Sequence, residues 1–144
     1  MGHPMSTLKL LHYQAEFSDV FRGILGAGAH SDYGLLTFLA TDEVPGLQIM
    51  LDGKWHNVDP RPQDFIVNIG DMLQRWTNDF LPSTVHRVVN YTGEERYSMP
   101  FFFEPNFYTK VEVIEKFVTE DNPSKYDSIL SGEYLMEKFS KTLV

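Results

Sequence analysis

Turn-forming residues interrupt this chain so often that little besides a β architecture fits between them. Apolar segments at residues 8–14, 28–33, 35–40, 47–51, 54–58, 65–69, 84–90 and 96–103 are separated by Gly, Pro, Asp and Asn. Asp52-Gly53, between two of these segments, is the strongest short-range hairpin signal in the chain. About eight strands at this spacing leave no room for the crossover helices of a parallel βαβ sheet, and a sandwich or jelly roll follows. Two stretches read as helix. Residues 71–78 suffice for a turn or two, and 132–142 carry Tyr134, Leu135, Phe139 and Leu143 at helical spacing. Residues 117–131 are polar, contain Pro123, and read as a surface loop.

At 144 residues the chain is expected to be one domain. A folded chain of this mass exposes about 7,600 Å² against roughly 24,000 Å² unfolded, so a sizeable interior is affordable. The net charge of −8 repels phosphate backbones and anionic lipid, which argues against nucleic acid and membrane surfaces as partners. The absence of cysteine removes disulfides, thiolate nucleophiles and iron–sulfur clusters together. No apolar run approaches the roughly 20 residues of a membrane span, and Met1-Gly2-His3-Pro4 lacks the features of a secretory signal. A soluble, cytoplasmic protein is the expectation. Gly26-Ala27-Gly28 lacks the Lys-Ser/Thr of a phosphate loop and reads instead as close backbone approach. No Gly-x-Ser-x-Gly elbow supports a serine hydrolase.

The histidines separate into two groups. His3 in a terminus, His12 opposite Leu11 and Tyr13, and His56 beside Trp55 read as ordinary structural positions. His30-Ser31-Asp32 places an imidazole and a carboxylate two residues apart, on one face if the segment is extended. His86 lies 53 residues beyond Asp32, on a later strand. Two imidazoles and one carboxylate make the facial triad that holds Fe(II) on one side and leaves positions open for a co-substrate and O₂. The same period puts Arg96 and Ser98 on one face of a strand one turn from His86, where a guanidinium fork and a hydroxyl suit an incoming carboxylate. Tyr13 offers a phenol to that pocket, and Phe102 shares the parity of Arg96 and Ser98. Glu94 and Glu95 read as a solvated turn.

These stretches, in their order and spacing, resemble one family. They are Leu8 to Tyr13, Gly28 to Thr37, Pro45 to Gln48, Val67 to Asp71, Ser83 to Val88, and Arg96 to Pro105, with a tail containing Lys125-Tyr126 and Gly132 to Leu135. Over roughly residues 6–142 the chain is similar to the C-terminal catalytic half of the Fe(II)/2-oxoglutarate-dependent dioxygenases of the isopenicillin N synthase-like superfamily. The resemblance implies an all-β double-stranded β-helix, a jelly roll, with a C-terminal helix. It also implies His30, Asp32 and His86 as iron ligands, and Arg96 and Ser98 as the grip on the distal carboxylate of 2-oxoglutarate. By the same likeness Tyr13 would hydrogen-bond the co-substrate and Phe102 would line the substrate pocket. The implied reaction oxidises a small organic molecule with O₂ and releases succinate and CO₂. Gln14 departs from the proline common at that position. Such enzymes are about twice this long, and their N-terminal half backs the larger sheet. Without that layer, exposed apolar surface and self-association are expected. Three alternatives stay open: an Fe(II) oxidase of the same family that does without 2-oxoglutarate, an inactive fragment or binding module, and a Mn or Zn site.

Overall fold

The structure is a computed structural model describing residues 5–61 and 63–142, so His3 and Leu143 lie outside the described residues. Its elements run β1 (Thr7–Leu8), β2 (Leu11–Tyr13), β3 (Ala27–His30), β4 (Leu36–Thr41), β5 (Leu47–Leu51), β6 (Lys54–Asn57) and β7 (Ile66–Ile69). They continue through α1 (Asp71–Trp76), β8 (His86–Val88), β9 (Arg96–Phe103), β10 (Lys110–Val111), a 3₁₀ turn at Glu115–Phe117, β11 (Ile129–Leu130) and α2 (Ser131–Thr142). The larger sheet has the order β1-β9-β4-β7, with β2 also on β9, and the smaller has the order β3-β8-β5-β6. All pairings are antiparallel. This is the jelly roll with a C-terminal helix that the strand spacing and the resemblance implied.

Local chemistry explains where strands turn and change sheet. Asp52 and Gly53 both take positive φ, 48° and 74°, as the tight hairpin joining β5 to β6 requires. The neighbouring segments at 28–33 and 35–40 join different sheets. The first gives β3 to the smaller sheet and the second β4 to the larger, with residues 31–35 crossing between them. Along β9 the period of two is strict at first: Arg96, Ser98 and Pro100 are buried, while Tyr97, Met99 and Phe101 face outward.

The main apolar cluster lies at one end of the molecule. Met72, Val111, Tyr134 and Leu135 pack there, where α1, α2 and β10 meet. The space between the sheets mixes apolar Leu39, Leu47 and Val88 with buried polar groups, among them Asp32, Thr37, His86, Arg96 and Ser98. The stretch 117–131 is less of a free loop than its composition suggests. Ile129 and Leu130 pair with β10, and the buried Asn78 donates to the carbonyls of Asn122 at 3.2 Å and Pro123 at 3.1 Å. Polar residues there tie the chain down.

The two outer faces differ. On the smaller sheet Asn57, Gln48 and Arg87 form a hydrogen-bonded row, with the guanidinium 4.0 Å from the Trp55 ring centroid. The larger sheet shows water Leu8, Leu10, Val67, Met99, Phe101 and Phe103. Total accessible surface is 9384 Å², against about 7,600 Å² for a globular chain of this mass. Among the described residues no helix is long and apolar enough to cross a membrane.

Candidate metal centre and anion pocket

Antiparallel pairing of β3 with β8 sets His30 directly opposite His86, with ring centroids 4.3 Å apart. Asp32 comes from the crossing segment that leaves β3. The structure therefore corrects the reason for its placement: Asp32 is outside the strand, and the bend between sheets, not a period of two, swings its carboxylate toward the imidazoles. Asp32 Oδ1 lies 3.7 Å from His86 Nε2, and one ligand atom from each of the three residues falls within 4.8 Å of the others.

Each imidazole is oriented by the backbone. His30 Nδ1 lies 2.7 Å from the Gly28 carbonyl and His86 Nδ1 lies 3.0 Å from that of Thr84. A carbonyl only accepts, so the hydrogen sits on Nδ1 and the Nε2 lone pair stays free for a cation. Asn68 Nδ2 donates to Asp32 Oδ2 at 3.4 Å. Two neutral nitrogens, one carboxylate and orienting hydrogen bonds behind them are a donor set suited to a divalent iron-type ion.

Next to this set is a charge without a partner. Arg96 is 2% exposed, and its Nε and Nη1 have no hydrogen-bond acceptor among the described residues. Tyr13, paired with Arg96 in register, lays its ring 5.1 Å from the guanidinium. Ser98 is buried one inward position along β9. A cavity of about 170 Å³ joins these residues to the triad, and Phe102 and Lys9 also line it. Lys9 Nζ stands 5.2 Å from the Phe102 ring centroid. A buried, unsatisfied guanidinium is costly unless an anion completes it, and that is what a carboxylate-binding pocket requires. A larger hollow of about 570 Å³ opens beside Leu10, His12, Tyr97 and Met99, but it includes neither the triad nor Arg96.

Other histidines and glycines are elsewhere. His12 stacks on Tyr97 at 4.7 Å on the outer face, and His56 is an exposed strand residue. Gly26 makes room for side chains rather than backbone, since a Cβ there would stand 3.0 Å from both Tyr13 and Val88; Gly28 faces open space. Among the polar residues in or beside the site, Lys9, Asn68 and Glu104 were given no role in the sequence reading. Parity could have found them. Asn68 pairs with the inward Thr37, Lys9 shares the parity of Leu11 and Tyr13, and Glu104 continues the even-numbered inward face of β9. Glu104 is 8% exposed and accepts the Leu35 N–H at 3.0 Å. Burial, with a smaller push from the Asp32 charge, raises its carboxyl to about 7 against the opposing pull of that hydrogen bond.

The 2OG-Fe(II) oxygenase superfamily matches residues 6–105. A homoarginine-6-hydroxylase of Glycine max is 39% identical over 95% of this chain and 44% of its own length. A clavatol oxidase of Penicillium crustosum is 41% identical over 83% of the chain and 36% of its own length. Among solved structures, full-length Neurospora crassa T7H in complex with alpha-KG superposes with a TM-score of 0.88 at 38% identity. That match covers 95% of this chain and 44% of the other. A second structure of T7H holds alpha-KG and thymine. The chain thus spans less than half the length of these relatives. The chain belongs to the 2OG-Fe(II) oxygenase superfamily.

Proposed function

We propose that this chain, as one jelly-roll domain, carries an iron(II) centre and a 2-oxoglutarate site and oxidises a small organic substrate with O₂, releasing succinate and CO₂. The observation that carries the reading is the buried, unpartnered Arg96 in the same cavity as His30, Asp32 and His86. Bound iron(II) would supply the redox chemistry and the activation of O₂. The residues supply geometry. His30 and His86 present Nε2 because their Nδ1 hydrogens are committed to carbonyls, and Asp32 adds the single negative charge. Arg96 takes the distal carboxylate of the co-substrate by charge-assisted hydrogen bonds, with Ser98 donating beside it. Tyr13 closes that end of the pocket over the guanidinium. Phe102 and the stem of Lys9 form an apolar wall where substrate carbon can lie.

Anaerobic titration of Fe(II)-loaded protein with 2-oxoglutarate, following the visible charge-transfer band, tests this. A saturable band is expected, weakened in Arg96→Ala and lost with iron binding in His86→Ala. Iron binding without any band would overturn co-substrate use and favour the oxidase that does without it. No iron binding would overturn the metal centre in this chain.

We also propose that two copies associate through the outer face of the larger sheet. The surface in excess of a globular chain is about twice the roughly 800 Å² that each partner hides in a standard interface. A monomer by light scattering that binds no apolar dye would refute it, and Phe101→Glu should disrupt the dimer.

A further inference from the structure

The segment that delivers Asp32 is held between two supports, and one of them is a carboxyl that coordinates nothing. On one side is the first turn of α1: Asp71 N–H donates to Asp32 O at 2.8 Å, and Met72 N–H donates to Gly34 O at 3.0 Å. Contact is so close that a Cβ on Gly70 would stand 2.2 Å from Gly34 O. On the other side is Glu104, just past the end of β9. Its Oε2 accepts the Leu35 N–H at 3.0 Å, and its own N–H donates to Ser6 Oγ at 3.1 Å. The carboxyl occupies the space where a Gly34 side chain would begin, with Oε1 1.6 Å from the position of a Cβ.

We infer that Glu104 is the positioning residue for Asp32, its buried carboxyl pressing the Gly34–Leu35 backbone against α1 and so fixing the approach of the carboxylate to His30 and His86. The inference rests on the metal-centre reading above. Among the described residues the Asp32 carboxylate has one side-chain hydrogen bond, the 3.4 Å contact from Asn68, beside the 3.7 Å approach of His86, so its aim depends on its backbone. That backbone leaves β3 at His30 and does not rejoin a sheet until Leu36. Between those points the Leu35 N–H is satisfied by Glu104, not by a neighbouring strand. Outer partners of this kind typically hold about ten- to a hundredfold of metal affinity.

The test is Co(II) affinity, read from ligand-field absorbance, together with thermal melting of the metal-free protein. Glu104→Gln keeps an acceptor oxygen of the same reach; Glu104→Ala does not. The clamp requires Ala to weaken Co(II) binding about ten- to a hundredfold, with Gln restoring most of it even if both variants melt alike. Wild-type Co(II) affinity in a folded Glu104→Ala would overturn the positioning role and leave the metal centre standing. Failure of the wild type itself to bind Co(II) would overturn the metal centre and this inference with it. Should Glu104→Ala not fold, Gly34→Ala displaces the same carboxyl from the opposite side. Weakened Co(II) binding there supports the clamp, and unchanged binding overturns it.

Discussion

Replacing Arg96 with methionine should stabilise the metal-free fold while removing co-substrate binding. The guanidinium is almost fully buried, and Nε and Nη1 have no acceptor among the described residues. Each unmet buried donor costs about 1–3 kcal/mol. The ring of Tyr13 returns about 0.5–2 kcal/mol through its cation–π contact. Methionine retains most of the apolar stem and has no donors, which leaves a net gain of about 1–3 kcal/mol. For a chain of this size that is a rise in Tm of roughly 3–10 °C. Adding Co(II) and 2-oxoglutarate should change the order. Wild type gains about 2.7 kcal/mol at a hundredfold excess over Kd, and Arg96→Met gains little beyond the metal contribution. Differential scanning fluorimetry with and without the two ligands reads both effects. A metal-free Arg96→Met that melts below wild type would refute the claim that Arg96 is held at a cost for an anion. So would a variant stabilised by 2-oxoglutarate as much as wild type.

Glu104 gives a pH prediction. Its folded value near 7 lies above an ordinary carboxyl of about 4.5, so the native state holds the proton more tightly than the unfolded chain. The associated stability is fully present below about pH 4.5 and is lost as pH rises through about 7, with an upper bound of about 3 kcal/mol. Denaturant unfolding of metal-free protein across that window should show the loss in wild type and a flatter profile in Glu104→Gln; identical slopes would sink the assignment. Gly70→Ala should destabilise the fold by about 1–3 kcal/mol, because its Cβ would meet the Gly34 backbone rather than a movable side chain. Asn78→Ala should cost a similar amount, about 1–3 kcal/mol, since it removes the donors to the Asn122 and Pro123 carbonyls, and limited proteolysis should then cut within 117–131.

Much of the site was legible because strand parity is a local property. Arg96, Ser98 and Phe102 share one face of a single unbroken strand, and their spacing alone said so. Asp32 was found for an incomplete reason: Gly34 marks a break between the segments 28–33 and 35–40, but nothing there says that they belong to different sheets. The role of Glu104 depends on a partner 69 positions away, Leu35, and a lone glutamate after a strand carries no sign of that contact. The smaller strands β10 and β11 were equally hidden, for two residues each are too few to show a period. The outer face of the larger sheet was foreseeable only through the resemblance, because alternating apolar residues on both faces do not reveal which face will meet water.

The backing of Asp32 has a consequence for the order in which the protein matures during synthesis. Asp71, whose N–H holds the Asp32 carbonyl, pairs through its side chain with Lys138 of α2 at 3.0 Å. Tyr33, next to Asp32, bonds Thr142 in the last turn of the same helix at 2.6 Å. Helix α2 follows every other described element, so Lys138 and Thr142 are made after both imidazoles, the carboxylate, Asp71 and Glu104. Until α2 docks, Asp71 and Tyr33 lack these outer contacts, and Asp32 is held through the Asp71 N–H and the Glu104 carboxyl.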